Sequence, residues 1–315
     1  MTPQAPQRVT SQAPQPEIPG AGSPLTRVVL TGPSRPALVL GRFPTVLYLT
    51  LGAHHEVLPV LAADALMLPT GIRLAAASHD IDWGVEPGDT VTVGRSGIRL
   101  PGLHVRVVRE WRPARVPAVS RPAGPDRLSE LADLLSLHVS TPELIDQATA
   151  VCRAARSGDE AEVRRGARQL LGAGQGLTPS GDDVLCAVLL VLCGGGDPQP
   201  IALLGNAVED LWTRTTSLSA SLLDAARKGY AVPEVVALIE CATRGDLVGA
   251  GRALAPTLAI GHSSGRDLVA GLTGSLRALT LPLALPSRRD TRHDLARSWP
   301  AAPALVRLTL SHGSP

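Results

Sequence analysis

Apolar and polar residues alternate along the first third of the chain and recur at helical spacing along the rest. Between residues 25 and 111, short runs rich in Val and Leu are separated by Gly and Pro. Residues 27–31, 37–40 and 45–51 read as strands on that basis. Residues 90–93 and 103–107 alternate with period two, as half-buried strands do. Gly88-Asp89 and Ser96-Gly97 are turn signals between them. Residues 25–115 are therefore expected to form a β-rich domain, barrel- or sandwich-like.

Residues 112–126 contain four prolines, and 116–126 read as a linker. Beyond it the period changes. Leu repeats at helical spacing over 128–137, Thr141-Pro142 places a cap and an N1 proline before 144–155, and Asp159 is placed to cap a helix reaching 171. Helices are also expected over 180–193, 201–214, 217–228, 233–243, 246–258 and 264–279. The fold class is thus α+β: a β-rich N-terminal part, then an all-helical domain over 127–280. Residues 1–24, with six prolines and four glutamines, read as a disordered tail. Residues 281–315, with five prolines and an Arg-rich stretch, read as a second one.

Composition removes several functions. The 315 residues are 44% apolar and 18% charged, which suits a sizeable core. Thirty basic against 28 acidic residues leave no bulk field for nucleic acid, and seven aromatics make no stacking platform. Lys228 is the only lysine, so a Walker lysine is ruled out and a Schiff base is not expected. Cys152, Cys186, Cys193 and Cys241 form no CxxC pair and read as inert core thiols. The longest apolar run, 184–193, is too short to span a membrane, and the N-terminus has no signal-peptide core. The expectation is a cytoplasmic protein.

Two segments of the helical half carry candidate chemistry. The first runs from Gly174 through Gly176, Leu177, Thr178, Pro179, Ser180 and Gly181 to Asp182 and Asp183. The second is Gly261, His262, Ser263, Ser264, Gly265, Arg266, Asp267. Each holds Ser-Gly-x-Asp before apolar residues. Ser180 with Asp183, and Ser264 with Asp267, have capping-box spacing, and a cap needs no ligand. Capping does not explain Gly174 and Gly176, the spare acid Asp182, or the gathering of Thr178, His262 and Ser263. Glycine-framed helix N-termini suit anions, so small carboxylate and phosphate ligands are the expected partners. Carboxylates beside such a site fit a bridging Mg²⁺ unless the caps consume them. Thr216 and Ser219 share a helix face and read either as local caps or as donors to the same cleft. His54 and His55 lack a partner at metal-ligand spacing and read as loop residues. Residues 172–176 resemble a dinucleotide loop only superficially, because they follow a helix.

Together GxGLTPSGDD, a Thr/Ser-rich helix start ending in Ala225-Ala226 and Gly229, and GHSSGRDLVAGL resemble the AllH subunit family of oxamate carbamoyltransferase, read across residues 25–279. Where that family often has a proline before the first motif's Gly-Leu, this chain has Gly174-Gln175-Gly176. The resemblance implies a multi-subunit transferase of allantoin and purine breakdown. It implies phosphorolysis of oxalurate to oxamate and carbamoyl phosphate alongside an FdrA-like partner subunit. His262 could then pass a proton to the departing nitrogen, or hold the loop by a structural hydrogen bond. Asp182 would orient substrate or metal. The competing readings are a non-catalytic scaffold or anion-binding component, and an enzyme for another phosphorylated or carboxylated metabolite.

Overall fold

The computed structural model describes residues 16–119 and 122–282. Eight strands close into a barrel: β1 (Glu17–Gly22), β2 (Arg35–Arg42), β3 (Val46–Thr50), β4 (Val57–Leu61), β5 (Ile72–Leu74), β6 (Thr90–Gly94), β7 (Gly97–Arg99) and β8 (His104–Glu110). Their order around the barrel is β1-β5-β4-β3-β2-β6-β7-β8. Neighbours are antiparallel except β1 with β8 and β4 with β5. Inward residues such as Leu47, Leu49, Leu58, Val60, Ile72, Val93, Ile98 and Val105 fill the interior. That alternation is the one the period-two segments announce.

Three expectations about this half change. Residues 27–31 form a short helix, α1 (Arg27–Thr31), and not a strand. It continues a 3-10 turn over Pro24–Thr26, where Ser23 accepts a bond from the Leu25 amide, and a local cap outweighs the β propensity of Val28 and Val29. The tail expected over 1–24 includes β1, which pairs with β5 on one side and β8 on the other. The rest of that tail, and all but the first two residues of the C-terminal one, lie outside the described residues. The linker is fastened: Val116, Val119 and Ala123 donate their amides to the carbonyls of Gly229, Gly194 and Thr243.

The helical half comprises α2 (Pro125–Ser136), α3 (Pro142–Ser157), α4 (Glu160–Leu170), α5 (Ser180–Gly195), α6 (Pro198–Glu209), α7 (Ser217–Ala226), α8 (Pro233–Arg244), α9 (Leu247–Leu258) and α10 (Ser264–Thr280). Helix α5 is buried on all sides from Val184 to Leu192, as its unbroken apolar sequence requires. Helix α10 crosses α5 closely. Gly271 sits where a Cβ would come within 2.6 Å of the Val184 carbonyl. Leu61 and Leu68 of the barrel half join the same core as α5 and α10. His54 and His55, expected as free loop residues, also bridge the halves. A ring nitrogen of His54 lies 3.0 Å from the Thr215 carbonyl, and His55 packs 4.3 Å from the Trp212 ring.

Candidate functional site

The two Ser-Gly-x-Asp segments are the entries to α5 and α10, and they meet. Thr178 of the first bonds Ser264 of the second, hydroxyl to hydroxyl, at 2.9 Å. Each follows a helix, α4 or α9, that ends against the new one. The middle glycines explain how. A Cβ on Gly181 would lie 2.0 Å from the Leu170 carbonyl oxygen, and one on Gly265 would lie 2.1 Å from that of Thr257. Both helix starts therefore press on the backbone of the preceding helix, and only glycine fits. Gly181 also donates its amide to Ala173, and Gly265 to Ile260, so the two turns are built alike.

The capping-box expectation does not hold. The N-caps are Pro179 and Ser263, and neither makes a side-chain cap bond. Ser180 and Ser264 are already the first helical residues, which moves Asp183 and Asp267 past the capping position. Each of these two carboxyls is buried, 5% and 8% exposed, and each has an Oδ2 without a hydrogen-bond partner. Burial pushes Asp183 well above the ordinary carboxylate range. The Ser264 hydroxyl opposes the rise, the charges of Asp267 and Asp182 add to it, and Thr178 again opposes it.

Asp182 is not a spare acid. Its Oδ1 accepts the Gly172 amide at 2.7 Å, and its Oδ2 accepts the Thr215 hydroxyl. It is 1% exposed and joins the start of the glycine loop to the segment before α7. Burial raises its pKa, while Gly172, Thr215 and Ser219 pull it down. Thr216 caps α7 by accepting the Ser219 amide at 3.1 Å, and it donates its hydroxyl to the Leu177 carbonyl at 2.5 Å. The Ser219 hydroxyl reaches the same carbonyl at 3.5 Å. These hydroxyls hold the first turn in place; neither residue lines the cavity described next. Gly174 and Gly176 have φ of +122° and +92°, so the loop needs glycine at both.

A cavity of about 250 Å³ opens at the meeting point. Its polar end consists of Asp183, Thr178 and Ser264; Tyr48 and Tyr230 also line it. The remaining wall is apolar, with Leu190, Leu218, Leu222, Val235 and Leu268 among its members. Leu66 and Leu177, 38% and 45% exposed, stand where it meets solvent. Among the described residues no arginine, lysine or histidine lines it. His262 and Ser263 are exposed and outside the lining, as is half-buried Ser180. Of the hydroxyls, helix amides and carboxylates expected from the sequence to meet in one cleft, this cavity is lined by the hydroxyls of Thr178 and Ser264 and by the carboxyl of Asp183.

Mg²⁺ fits poorly here. Among the described residues no three His, Cys, Asp or Glu side chains are arranged so as to hold a metal ion. Asp183 and Asp267 supply the two free carboxylate oxygens. The leucine walls beyond them offer nothing to the waters that Mg²⁺ retains. Cys186 lines the cavity beside Asp183, and burial together with the neighbouring carboxylates pushes its thiol up, away from the nucleophilic thiolate. Burial likewise pushes Cys152 and Cys193 up to about 11. The sequence reading missed the apolar walls from α7 and α8, and the roles of His54, Thr215 and Leu177. Only the fold brings them to the motifs.

Among the described residues no helix is long and apolar enough to cross a membrane. No curated protein and no solved structure matches the chain. Residues 170–276, which contain both turns, α7 and the crossing of α5 and α10, match a family model, that of AllH, the oxamate carbamoyltransferase subunit.

Proposed function

We propose that this chain is a subunit of a carbamoyltransferase complex of the oxamate type, and that the joined turns at α5 and α10 are its working part. One observation carries the reading. The segment matching the AllH family holds both Ser-Gly-x-Asp turns, and they bond to each other through Thr178 and Ser264. The reaction proposed for the assembled complex is phosphorolysis of oxalurate to oxamate and carbamoyl phosphate, with an FdrA-like protein among the partners. Phosphate and the oxalyl carboxylate would need cationic or amide donors. Among the described residues the cavity wall lacks cations, so those donors would come from the exposed loop amides around Gly176 and Gly261 or from a partner subunit. His262, exposed on the second turn, would then face a partner and move a proton there.

A non-catalytic reading competes on one specific ground: the cavity is largely apolar and, among the described residues, without cations. In that case the chain organises catalytic partners and holds a different small ligand. Reconstitution separates the two. Carbamoyl phosphate formation from oxalurate and phosphate is measured with the partner subunits, with and without this chain. Dependence on the chain, lost in His262→Ala, supports the catalytic reading. Dependence on the chain that survives His262→Ala supports the scaffold. Turnover without the chain refutes both.

A further inference from the structure

Buried carboxylates are ordinarily paired with a cation or fully hydrogen-bonded. The end of this cavity breaks that rule. Asp183, which lines the cavity, leaves an Oδ2 without a donor among the described residues; outside the lining, Asp267 leaves another, and Asp182 is a third carboxyl near Asp183. Among the described residues nothing cationic lines the cavity. A partner that enters from solvent passes Leu66 and Leu177, the exposed leucines of the lining. It must also tolerate walls of Leu, Val and Ile. A hydrated metal ion does not, and an anion would face the carboxyls.

We propose that the cavity binds a primary aliphatic ammonium, with its head between Asp183, Thr178 and Ser264 and its hydrocarbon body along Leu190, Leu218, Leu222 and Val235. An ammonium has three N–H donors. Asp183 lines the cavity, and the hydroxyls of Thr178 and Ser264 each retain acceptor capacity beside it. Asp267 and Asp182 lie close enough to act on Asp183, and their charge favours a cation there. The apolar body leaves water for the leucine wall, which adds affinity in proportion to its buried area. The inference stands on this geometry and does not depend on carbamoyl transfer.

The test is calorimetric titration of the full chain at neutral pH, without partner subunits, with four probes of matched length: n-butylammonium, n-butanol, butyramide and butyrate. n-Butylammonium is expected to bind at least about tenfold more tightly than the other three, a difference of about 1.4 kcal/mol. Asp183→Asn is expected to remove that preference, and Leu222→Trp, which fills the cavity, to remove binding of every probe. If either variant fails to fold, the ranking on the unaltered chain decides alone. No binding of n-butylammonium, or equal affinity for butyramide or butyrate, overturns the proposal. So does Mg²⁺ that competes with the ammonium, because it would assign the carboxyls to a metal. Failure here leaves the reconstitution result untouched, and the converse also holds.

Discussion

Replacing Gly181 by Ala adds one methyl group, and the structure fixes where it goes. The new Cβ would lie 2.0 Å from the Leu170 carbonyl oxygen. Carbon and oxygen in non-bonded contact stay about 3.3 Å apart, so α5 must retreat from α4 by roughly 1.3 Å. Helix α5 is buried on all sides, so the retreat would disturb the core and the Asp182 bonds together. Overpacking of this kind costs about 3 kcal/mol or more. For a chain of this size that lowers the melting temperature by roughly 6–12 °C. Gly265→Ala meets the Thr257 carbonyl at 2.1 Å and should behave alike. Gly251→Ala is the control: it is exposed in mid-α9, with nothing within 4 Å of its added Cβ. There the same change should stabilise by up to about 1 kcal/mol, through the better helix propensity of Ala. Thermal melts followed by circular dichroism measure all three. If Gly181→Ala melts with the unaltered protein, the close contact of α5 on α4 is wrong.

Two further substitutions separate the neighbouring acids. Asp182→Asn leaves one of the donors at Gly172 and Thr215 poorly matched, and should cost about 1–3 kcal/mol. An unchanged melting temperature would remove its role as a clamp. Asp183→Asn should act in the opposite sense and depend on pH. The folded state holds the Asp183 proton more tightly than the unfolded chain does, so the unaltered protein loses stability as pH rises from the ordinary carboxylate range through the raised folded value. Asn does not titrate, so the advantage of Asp183→Asn should be absent at low pH and grow as pH rises. Paired melts across that range check it, and a constant difference would contradict it.

Much of the fold was legible in local chemistry. Prolines at the N1 positions of α2, α3, α6 and α8 and left-handed glycines at 158, 196 and 245 mark helix ends by rules that act within a few residues. The Thr-Val alternation in β6 likewise shows directly which side faces the barrel interior. What failed depended on distant partners. Strand β4 is VLPVL, buried at every position and interrupted by Pro59, so it has no period to read. Strand β1 lies in proline-rich sequence and exists because β5 and β8 flank it. At the site, the pairing of the two turns could be suspected from their shared pattern. The roles of adjacent acids could not. Pro179 takes the cap position, and this one-residue shift ties Asp182 into the clamp and leaves Asp183 facing the cavity.

The joined turns are tested most directly by a double-mutant cycle on turnover. Thr178→Val and Ser264→Ala remove the 2.9 Å contact from either side with little change in volume. Carbamoyl phosphate formation from oxalurate is measured in the complex reconstituted with partner subunits, beside melts that confirm folding. Each single substitution should lower turnover by about tenfold or more, and the double should be little worse than the poorer single, as for residues acting as a unit. Wild-type turnover in all three folded variants would contradict the claim that this meeting point is where the chain works.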